Sequence, residues 1–400
     1  MSGKAVQLRQ GKEKVLEKDN VLELAKYYSR FGEVAVIDLD AAMGKGDNEE
    51  LIKQICKIAK CRVGGGIRDL EKAKRIIANG ASKIIIGTAA DEEFLAKLPR
   101  SKVIVAIDTK NGKITTEGWT KEITQTPVDF IKRFDDYCSE YLYTVVEKEG
   151  MMLGCDITSI EQVRALTKND LTAAGGISTV EEIAALNAKN VSTQLGMCIY
   201  TGAVKLEDAF CASVDFDKQG GLVPTIVQDV DTKQVLMLAY SNRDSLYKTL
   251  QDGQATYFSR SRNELWTKGL TSGNTQELVT ALFDCDQDTL LFKVRQKGNA
   301  CHLDRFSCFE SKDFTINELY ELLLDRKEKL PEKSFTTKLF KDEFYLKRKI
   351  MEEAFETVNH EEGDGLSWEV ADLAYFMLTF MAKHNVTPQD IVNNLASRRT

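Results

Sequence analysis

The pattern of hydrophobic and polar positions changes twice along the chain and divides it into three segments. In residues 1–212, short apolar runs rich in β-branched residues alternate with stretches whose apolar positions recur at helical spacing. Residues 213–311 carry shorter β-type runs around one helical stretch, and residues 312–400 show helical spacing throughout. The pattern predicts a multidomain protein with an α/β domain, then an α+β domain, then an all-α domain.

The first segment predicts a (β/α)8-like barrel, because it is internally repeated. Strands are predicted at 34–39, 61–65, 83–88, 103–108, 141–146, 171–175 and 191–196, with helices such as 48–59 and 69–79 between them. The glycine-rich turn 64–67 recurs as 174–177, and each copy precedes a helix and then a strand that ends in glycine. Two similar halves favour a barrel over an open sheet. Backbone N–H groups at such turns can hold phosphate, and the predicted phosphate sites are Gly66, Gly87, Thr88, Gly176 and Gly196.

The second segment concentrates groups that bind metals. Strands are predicted at 223–229, 234–240, 255–259, 276–284 and 289–296, with a helix at 242–251. Hard carboxylate ligands suit magnesium, and soft thiolates suit zinc. Three thiolates also leave the fourth zinc position open, which is the catalytic arrangement. We therefore expect two metals side by side, magnesium on Asp284, Asp286 and Asp288 and zinc on Cys285, Cys301 and Cys308. An acidic turn beside unrelated buried cysteines is the alternative.

Polar groups near these metal ligands suggest roles in catalysis and substrate binding. His302 is either a fourth zinc ligand or a proton-transfer group, and we favour the second because adjacent side chains chelate one metal poorly. A nucleoside deaminase is a chemically close alternative, but its H-x-E and P-C-x-x-C motifs do not occur in the sequence. Donors suited to phosphate and ribose, with an indole that can pack against a base, occur at Arg260, Arg262, Trp266, Lys268, Thr271 and Ser272.

The third segment predicts helices at 315–327, 342–360, 366–384 and 388–397. Acidic side chains recur on one face of the second and third helices, at Glu352, Glu353, Glu356, Glu369 and Asp372. A solvated acidic face is the alternative, but apolar residues are interleaved with these carboxylates. Oxygen-only ligands in a partly inward stripe favour a second magnesium site.

Composition narrows the class of protein. The 400 residues carry a net charge of −7, with 43% hydrophobic and 29% charged residues, which argues against general nucleic-acid binding. No apolar run approaches the roughly 18 residues of a membrane span, and the polar start lacks a signal-peptide core. The odd number of cysteines, nine, favours reduced thiols and a cytoplasmic location. The net charge of −7 does not exclude a small phosphorylated substrate held by local basic residues and a metal.

The first segment resembles phosphoribosylformimino-aminoimidazole-carboxamide ribotide isomerase of histidine biosynthesis. The resemblance rests on VAVIDLDAAMGKGDN, RVGGGIRDLEKAKRIIANGASKIIIGTAA, VAIDTKNGKITTEGW and AAGGIS, and spans about 4–210. It implies Asp108 as the fifth-strand acid and Thr144 as its sixth-strand neighbour, whereas Glu149 replaces an aspartate. The family's partner aspartate on the first strand is expected just before Gly3, where this sequence has no aspartate. An isomerase without it should lose most of its rate, so we expect a barrel that binds phosphoribosyl compounds without isomerising them. An active isomerase and a non-catalytic scaffold are the alternatives.

The second segment resembles phosphoribosyl-AMP cyclohydrolase in GLVPTIVQD, VLMLAYSN, YFSRSRNELWTKGLTSG, DCDQD, ACH and SCF. This resemblance implies the zinc and magnesium ligands named above, a homodimer with the site at the interface, and hydrolytic opening of the adenine ring of phosphoribosyl-AMP.

The third segment resembles phosphoribosyl-ATP pyrophosphohydrolase, through SFTTKL and E-E-x-x-E followed after twelve residues by E-x-x-D, with Phe335 in place of a tyrosine. Candidate phosphate contacts are Lys338, Lys347, Arg348 and Lys349. Together the three resemblances predict an enzyme of the second and third steps of histidine biosynthesis.

Overall fold

The N-terminal segment folds as a β-hairpin followed by alternating strands and helices. The computed structural model describes residues 1–9, 13–116, 118–119, 121–359 and 365–399. In order, the elements of this segment are β1 (Ala5–Arg9), β2 (Glu13–Lys18), α1 (Val21–Tyr28), β3 (Val34–Ile37), α2 (Leu39–Ala42), α3 (Glu49–Ile58), β4 (Cys61–Gly64), α4 (Leu70–Ala78), β5 (Lys83–Ile86), α5 (Glu92–Leu95), β6 (Val103–Lys110), β7 (Lys113–Thr116), β8 (Lys121–Glu122), α6 (Pro127–Phe134), β9 (Glu140–Val145), α7 (Ile157–Arg164), β10 (Asp170–Ala174), α8 (Val180–Asn187), β11 (Ser192–Gln194), α9 (Met197–Tyr200) and α10 (Leu206–Ala212).

Seven parallel strands form a nearly closed barrel in the order β11-β10-β9-β6-β5-β4-β3. The predicted barrel is therefore confirmed in its architecture. Its predicted eight-fold closure is not observed among the described residues, where β3 and β11 end the sheet and do not pair with each other. Strand alternation divides the apolar residues between two layers. Ile84 and Ile86 pack with the surrounding helices, whereas Ile85 packs inside the barrel with Ile104 and Leu142.

The middle segment forms a mixed four-stranded sheet with one helix and a separate hairpin. Its elements are β12 (Val223–Asp229), β13 (Val235–Ser241), α11 (Arg243–Asp252), β14 (Thr256–Ser259), β15 (Glu264–Thr267), β16 (Gln276–Phe283) and β17 (Leu290–Gln296). The sheet order is β13-β12-β17-β16, in which β12 and β17 are parallel, and β14 pairs with β15. An Asn242 capping box starts α11. The predicted strands and helix are all present.

The barrel and the middle segment belong to one compact unit, which comprises Met1–Val230, Gln234–Ser311 and Ala396–Thr400. Arg30 joins the two parts, because its Nη1 donates hydrogen bonds to Leu250 O at 3.1 Å and Gln251 O at 2.9 Å. These carbonyls lie in the last turn of α11, where the helix dipole favours a positive charge. The contact fixes the end of a helix that packs beneath the central sheet.

The C-terminal segment is helical, as predicted, and belongs to a second compact unit of Asp231–Lys233 and Lys312–Leu395. Its helices are α12 (Ile316–Lys329), α13 (Phe335–Lys341), α14 (Glu343–Val358), α15 (Gly365–Lys383) and α16 (Pro388–Arg398). The short α13, which contains most of the SFTTKL motif, was not predicted. The predicted end of the second helix at residue 360 lies outside the described residues. Among the described helices, none combines the length and the apolar character that a membrane crossing needs.

Candidate active sites

The acidic turn between β16 and β17 brings three carboxylates together. Ligand oxygens of Asp284, Asp286 and Asp288 all lie within 4.8 Å of one another. Because β16 ends at Phe283, these three residues lie in the turn and not on the strand. The turn itself is responsible, because Asp284 Oδ1 accepts hydrogen bonds from Asp288 N at 3.1 Å and Thr289 N at 3.2 Å. This donor set fits magnesium.

The three predicted zinc thiols do not meet at one point. The thiol of Cys308 contacts that of Cys301, and partial burial together with this neighbour raises the pKa of Cys308. Cys285, however, is exposed on the acidic turn. Two groups of three or more metal-ligating side chains occur in the described part of the chain, and the thiols are not one of them. One protomer therefore offers a pair of thiols in one place and a third thiol elsewhere.

The loop that carries the thiol pair is held against the central sheet. Cys301 N donates to Arg305 O at 3.0 Å, and Cys308 N donates to Leu236 O at 2.8 Å on β13. His302 is exposed next to Cys301. Lys268, predicted as a substrate contact, is 7% exposed and lies near both thiols, and its burial lowers its pKa. The positive charge of Lys268 opposes the rise in the pKa of Cys308, and zinc binds the thiolate form of cysteine.

An open cleft of about 670 Å³ lies above the β14–β15 hairpin. Three predicted substrate contacts, Arg260, Arg262 and Trp266, line it together with Tyr240. The guanidinium of Arg260 stacks 3.7 Å from the centre of the Tyr240 ring. The cleft thus combines aromatic faces with two cations, which suits a nucleotide.

The other two predicted contacts, Thr271 and Ser272, are exposed on the loop after the β14–β15 hairpin. They do not line the cleft.

A second carboxylate cluster joins α14 and α15. Glu353, Glu356 and Glu369 have ligand oxygens within 4.8 Å of one another. Desolvation and the neighbouring carboxylates raise the pKa of Glu356, as expected where negative charges accumulate. The structure brings together three of the five predicted ligands. Glu352 instead pairs with Lys349, and Asp372 lies outside the cluster.

Basic side chains surround one aromatic ring close to this cluster. Lys338 Nζ lies 4.3 Å and the Arg348 guanidinium 5.0 Å from the ring centre of Tyr345. Lys349 Nζ lies 2.7 Å from Glu353 Oε1 and 2.8 Å from Glu352 Oε1. Two of the predicted phosphate contacts thus lie together, whereas Lys349 is held by the carboxylates. Lys347 pairs with Glu343 at 2.7 Å.

The predicted phosphate turns lie at the carboxyl ends of neighbouring barrel strands. Gly66 and Gly87 follow β4 and β5, which pair with each other, and Gly176 and Gly196 follow β10 and β11, which also pair. Thr88 adjoins Gly87 and is exposed. Gly66 has φ +66°, and a Cβ there would lie 2.4 Å from Ala41 O. No other residue type fits this turn without moving the backbone.

The carboxyl end of β6 carries a half-buried acid. Asp108 is the register partner of Thr144, and its carboxylate accepts hydrogen bonds from Thr144 and Trp119. Burial raises the pKa of Asp108. Burial also raises the pKa of Glu149, with a smaller contribution from the Asp108 charge. Gln7 Nε2 donates to Glu149 Oε1 at 3.3 Å, so the first strand contributes an amide to this end of the barrel.

Protein-family models match the chain in three consecutive stretches. Residues 1–205 match the model described as Histidine biosynthesis protein, which is 205 of the 400 residues. The chain belongs to the histidine biosynthesis protein family. Residues 237–310 match the Phosphoribosyl-AMP cyclohydrolase model, and residues 316–399 match the Phosphoribosyl-ATP pyrophosphohydrolase model. These matches confirm the three resemblances and their order.

Individual relatives cover different parts of this family member. A histidine biosynthesis bifunctional protein HisIE from Caldanaerobacter subterraneus is 44% identical over 46% of this chain and 95% of the relative. A phosphoribosyl imidazole-4-carboxamide isomerase from Archaeoglobus fulgidus is 37% identical over 54% of this chain and 94% of the relative. A histidine biosynthesis trifunctional protein from Komagataella pastoris is 31% identical over 90% of this chain and 38% of the relative. The chain is a multifunctional histidine-biosynthesis protein and a hydrolase.

Some residues at these sites escaped the sequence analysis. Lys218 contacts the acidic turn from 68 positions earlier in the chain, and Tyr345 organises the basic side chains of the helical segment. No local spacing signals the first contact. The second could have been found from Tyr345 and Arg348, which lie three residues apart on a predicted helix and so share a face.

Proposed function

We propose that the chain catalyses two successive hydrolyses, release of pyrophosphate from phosphoribosyl-ATP and then opening of the adenine ring of phosphoribosyl-AMP. The observation that carries this proposal is the presence of separate ligand clusters in the two stretches that match the corresponding hydrolase models. The product of the helical segment is the substrate of the middle segment. Both substrates are small phosphoribosyl nucleotides.

In the helical segment, Glu353, Glu356 and Glu369 would hold magnesium, since three clustered carboxylates offer the oxygen ligands it prefers. Magnesium supplies charge neutralisation of the pyrophosphate group. Lys338 and Arg348 both lie against the Tyr345 ring and can contact phosphate oxygens. Lys349 would hold Glu353 in place for the metal rather than bind phosphate itself.

In the middle segment, the adenine ring would lie in the cleft above the β14–β15 hairpin, between Trp266 and the Arg260–Tyr240 stack. Thiolates fit zinc, and zinc supplies Lewis-acid activation of water. Because Cys285 is exposed and apart from the other two thiols, we propose that a homodimer completes the ligand set, with Cys285 of one protomer facing Cys301 and Cys308 of the other. His302 would move a proton beside this set.

Complementary variants test the two sites independently. Cys301→Ser should abolish ring opening and zinc binding and leave pyrophosphate release intact, whereas Cys155→Ser, which changes a barrel thiol, should leave both intact. Glu356→Gln should slow pyrophosphate release by about 100-fold and leave ring opening of added phosphoribosyl-AMP unchanged. Glu321→Gln, on an exposed face of α12, is its control. Loss of both activities in a folded Cys301→Ser protein would contradict two separate sites.

Isomerisation by the barrel is a second candidate function. It is favoured by the meeting of Asp108, Thr144 and Glu149 at the carboxyl ends of β6 and β9, together with the likeness to the Archaeoglobus isomerase. Two neighbouring carboxyl groups with raised pKa values suit proton donation and abstraction. Turnover of the isomerase substrate by the full chain, lost in Asp108→Asn, would support this function. Binding of that substrate without turnover would favour a phosphoribosyl-binding scaffold instead.

A further inference from the structure

Lys218 contacts the acidic turn from the segment that joins the barrel to the middle domain. Its Nζ lies 2.6 Å from Asp286 Oδ2 and 3.1 Å from Asp288 Oδ2, and 3.4 Å from Asp286 O. One ammonium group of the chain therefore pairs with two of the three carboxylates in the turn. A positive charge is already held at the oxygens that would bind magnesium.

The backbone positions this lysine. Asp215 N donates a hydrogen bond to Gln287 O at 2.8 Å, and Lys218 N donates to Asp215 Oδ1 at 3.1 Å. The joining segment thus lies against the turn through its main chain, at the residue between Asp286 and Asp288. The Lys218 side chain is 42% exposed, so it is free to leave the carboxylates for solvent.

We propose that Lys218 is a tethered cation that competes with a divalent ion for Asp286 and Asp288. The segment joining the two domains then sets the metal concentration at which the turn is filled. A divalent ion on these oxygens repels the ammonium and needs their lone pairs for its own coordination, so binding must break both ion pairs. This inference rests on the proposed function, because it takes the acidic turn as a magnesium site.

Binding of Mn²⁺, measured from the electron paramagnetic resonance signal of the free ion, tests the competition without any substrate. The background is Glu356→Gln/Glu369→Gln, which removes the cluster of the helical segment. In that background, Lys218→Met keeps the apolar stem and removes the charge. We expect Mn²⁺ affinity to rise by about 2- to 30-fold, since two partly exposed ion pairs no longer oppose the metal.

Two controls separate charge from side-chain bulk and position. Lys218→Arg keeps the charge and should stay within about twofold of the background. Lys248→Met removes an equally short pair, with Asp252 at 2.6 Å, elsewhere in the same domain, and should change nothing. Asp286→Asn/Asp288→Asn should weaken Mn²⁺ binding.

The outcomes distinguish this inference from the proposed function. If Asp286→Asn/Asp288→Asn leaves binding unchanged, the turn is not a metal site and both fail. If that variant weakens binding but Lys218→Met does not strengthen it, the metal site stands and the role of Lys218 is overturned.

Discussion

Glu140 is the centre of a buried ion-pair network near the amino-terminal ends of the barrel strands, and its replacement by glutamine should destabilise the barrel. The side chain is 2% exposed. Its carboxylate is paired with Arg62 and with Lys83 at 2.8 Å, and it accepts a hydrogen bond from Thr172 Oγ1 at 2.6 Å. Glu140→Gln keeps the shape of the side chain and removes the charge that both cations share.

The structure sets the size of the effect. Removing one member of a buried ion pair costs about 3–5 kcal/mol, because it leaves an uncompensated charge. Arg62 keeps a second carboxylate partner, Glu33, at 2.7 Å, and Lys83 keeps a more distant one, the exposed Asp170, at 3.6 Å. We therefore expect the lower end, about 3 kcal/mol of unfolding free energy. At a denaturant slope of about 3 kcal/mol per molar urea, the midpoint should fall by roughly 1 M.

The three tryptophans make the measurement specific, because one lies in each segment. In a Trp266→Phe/Trp368→Phe background, the fluorescence of Trp119 follows the barrel during urea unfolding. Glu93→Gln is the matched control, since it removes a carboxylate from an exposed pair with Lys97 at 2.8 Å and should shift the midpoint by less than about 0.3 M. Equal shifts in Glu140→Gln and Glu93→Gln would refute the argument that burial of this network stabilises the barrel.

Two further predictions concern the mouth of the barrel. Burial raises the pKa of Asp108 above its ordinary value of 3.8, so the stability that this group contributes is fully present below pH 3.8 and is lost as the pH rises through the pKa of the folded state. Asp108→Asn should therefore remove part of the decline in urea midpoint between pH 4 and pH 7. A variant whose urea midpoint is lowered equally at every pH would contradict this prediction. Gly66→Ala should destabilise the barrel by at least about 2 kcal/mol more than Gly112→Ala. Both glycines have positive φ, but of the two only Gly66 would place a Cβ 2.4 Å from a backbone atom, Ala41 O. Equal urea midpoints for the two variants would show that the turn adapts to a Cβ.

Sequence analysis located the elements better than it located the contacts between them. The barrel strands could be located from their apolar runs, because the inner strands β4, β5, β6, β9 and β10 are largely buried on both faces. The helix α13 was missed for two reasons. Its first three residues are aromatic or β-branched, which lowers helix propensity, and the side chain of its N-cap residue, Ser334, makes no capping hydrogen bond. Helical structure there depends on packing, since Thr336, Thr337 and Leu339 are buried.

At the candidate sites, too, the residue types could be predicted better than the contacts between them. The types of ligand could be predicted, because thiols and carboxylates have distinct metal preferences. Which ligands meet depends on geometry that spacing does not encode. The acidic turn gathers three carboxylates through its own backbone, whereas Cys285 is exposed on that turn and does not cluster with the thiols of the loop after β17. The role of Lys218 could not be predicted from sequence, because its partners lie 68 and 70 positions away.

The central claim is that one chain carries out two consecutive hydrolyses at separate metal sites. The most direct test is incubation of the full chain with phosphoribosyl-ATP and magnesium, with and without a chelator selective for zinc, while pyrophosphate, phosphoribosyl-AMP and the ring-opened product are followed together. With zinc present, pyrophosphate and ring-opened product should both accumulate; with zinc chelated, pyrophosphate should still be released and phosphoribosyl-AMP should build up. Continued ring opening without zinc, or no release of pyrophosphate under either condition, would contradict the account.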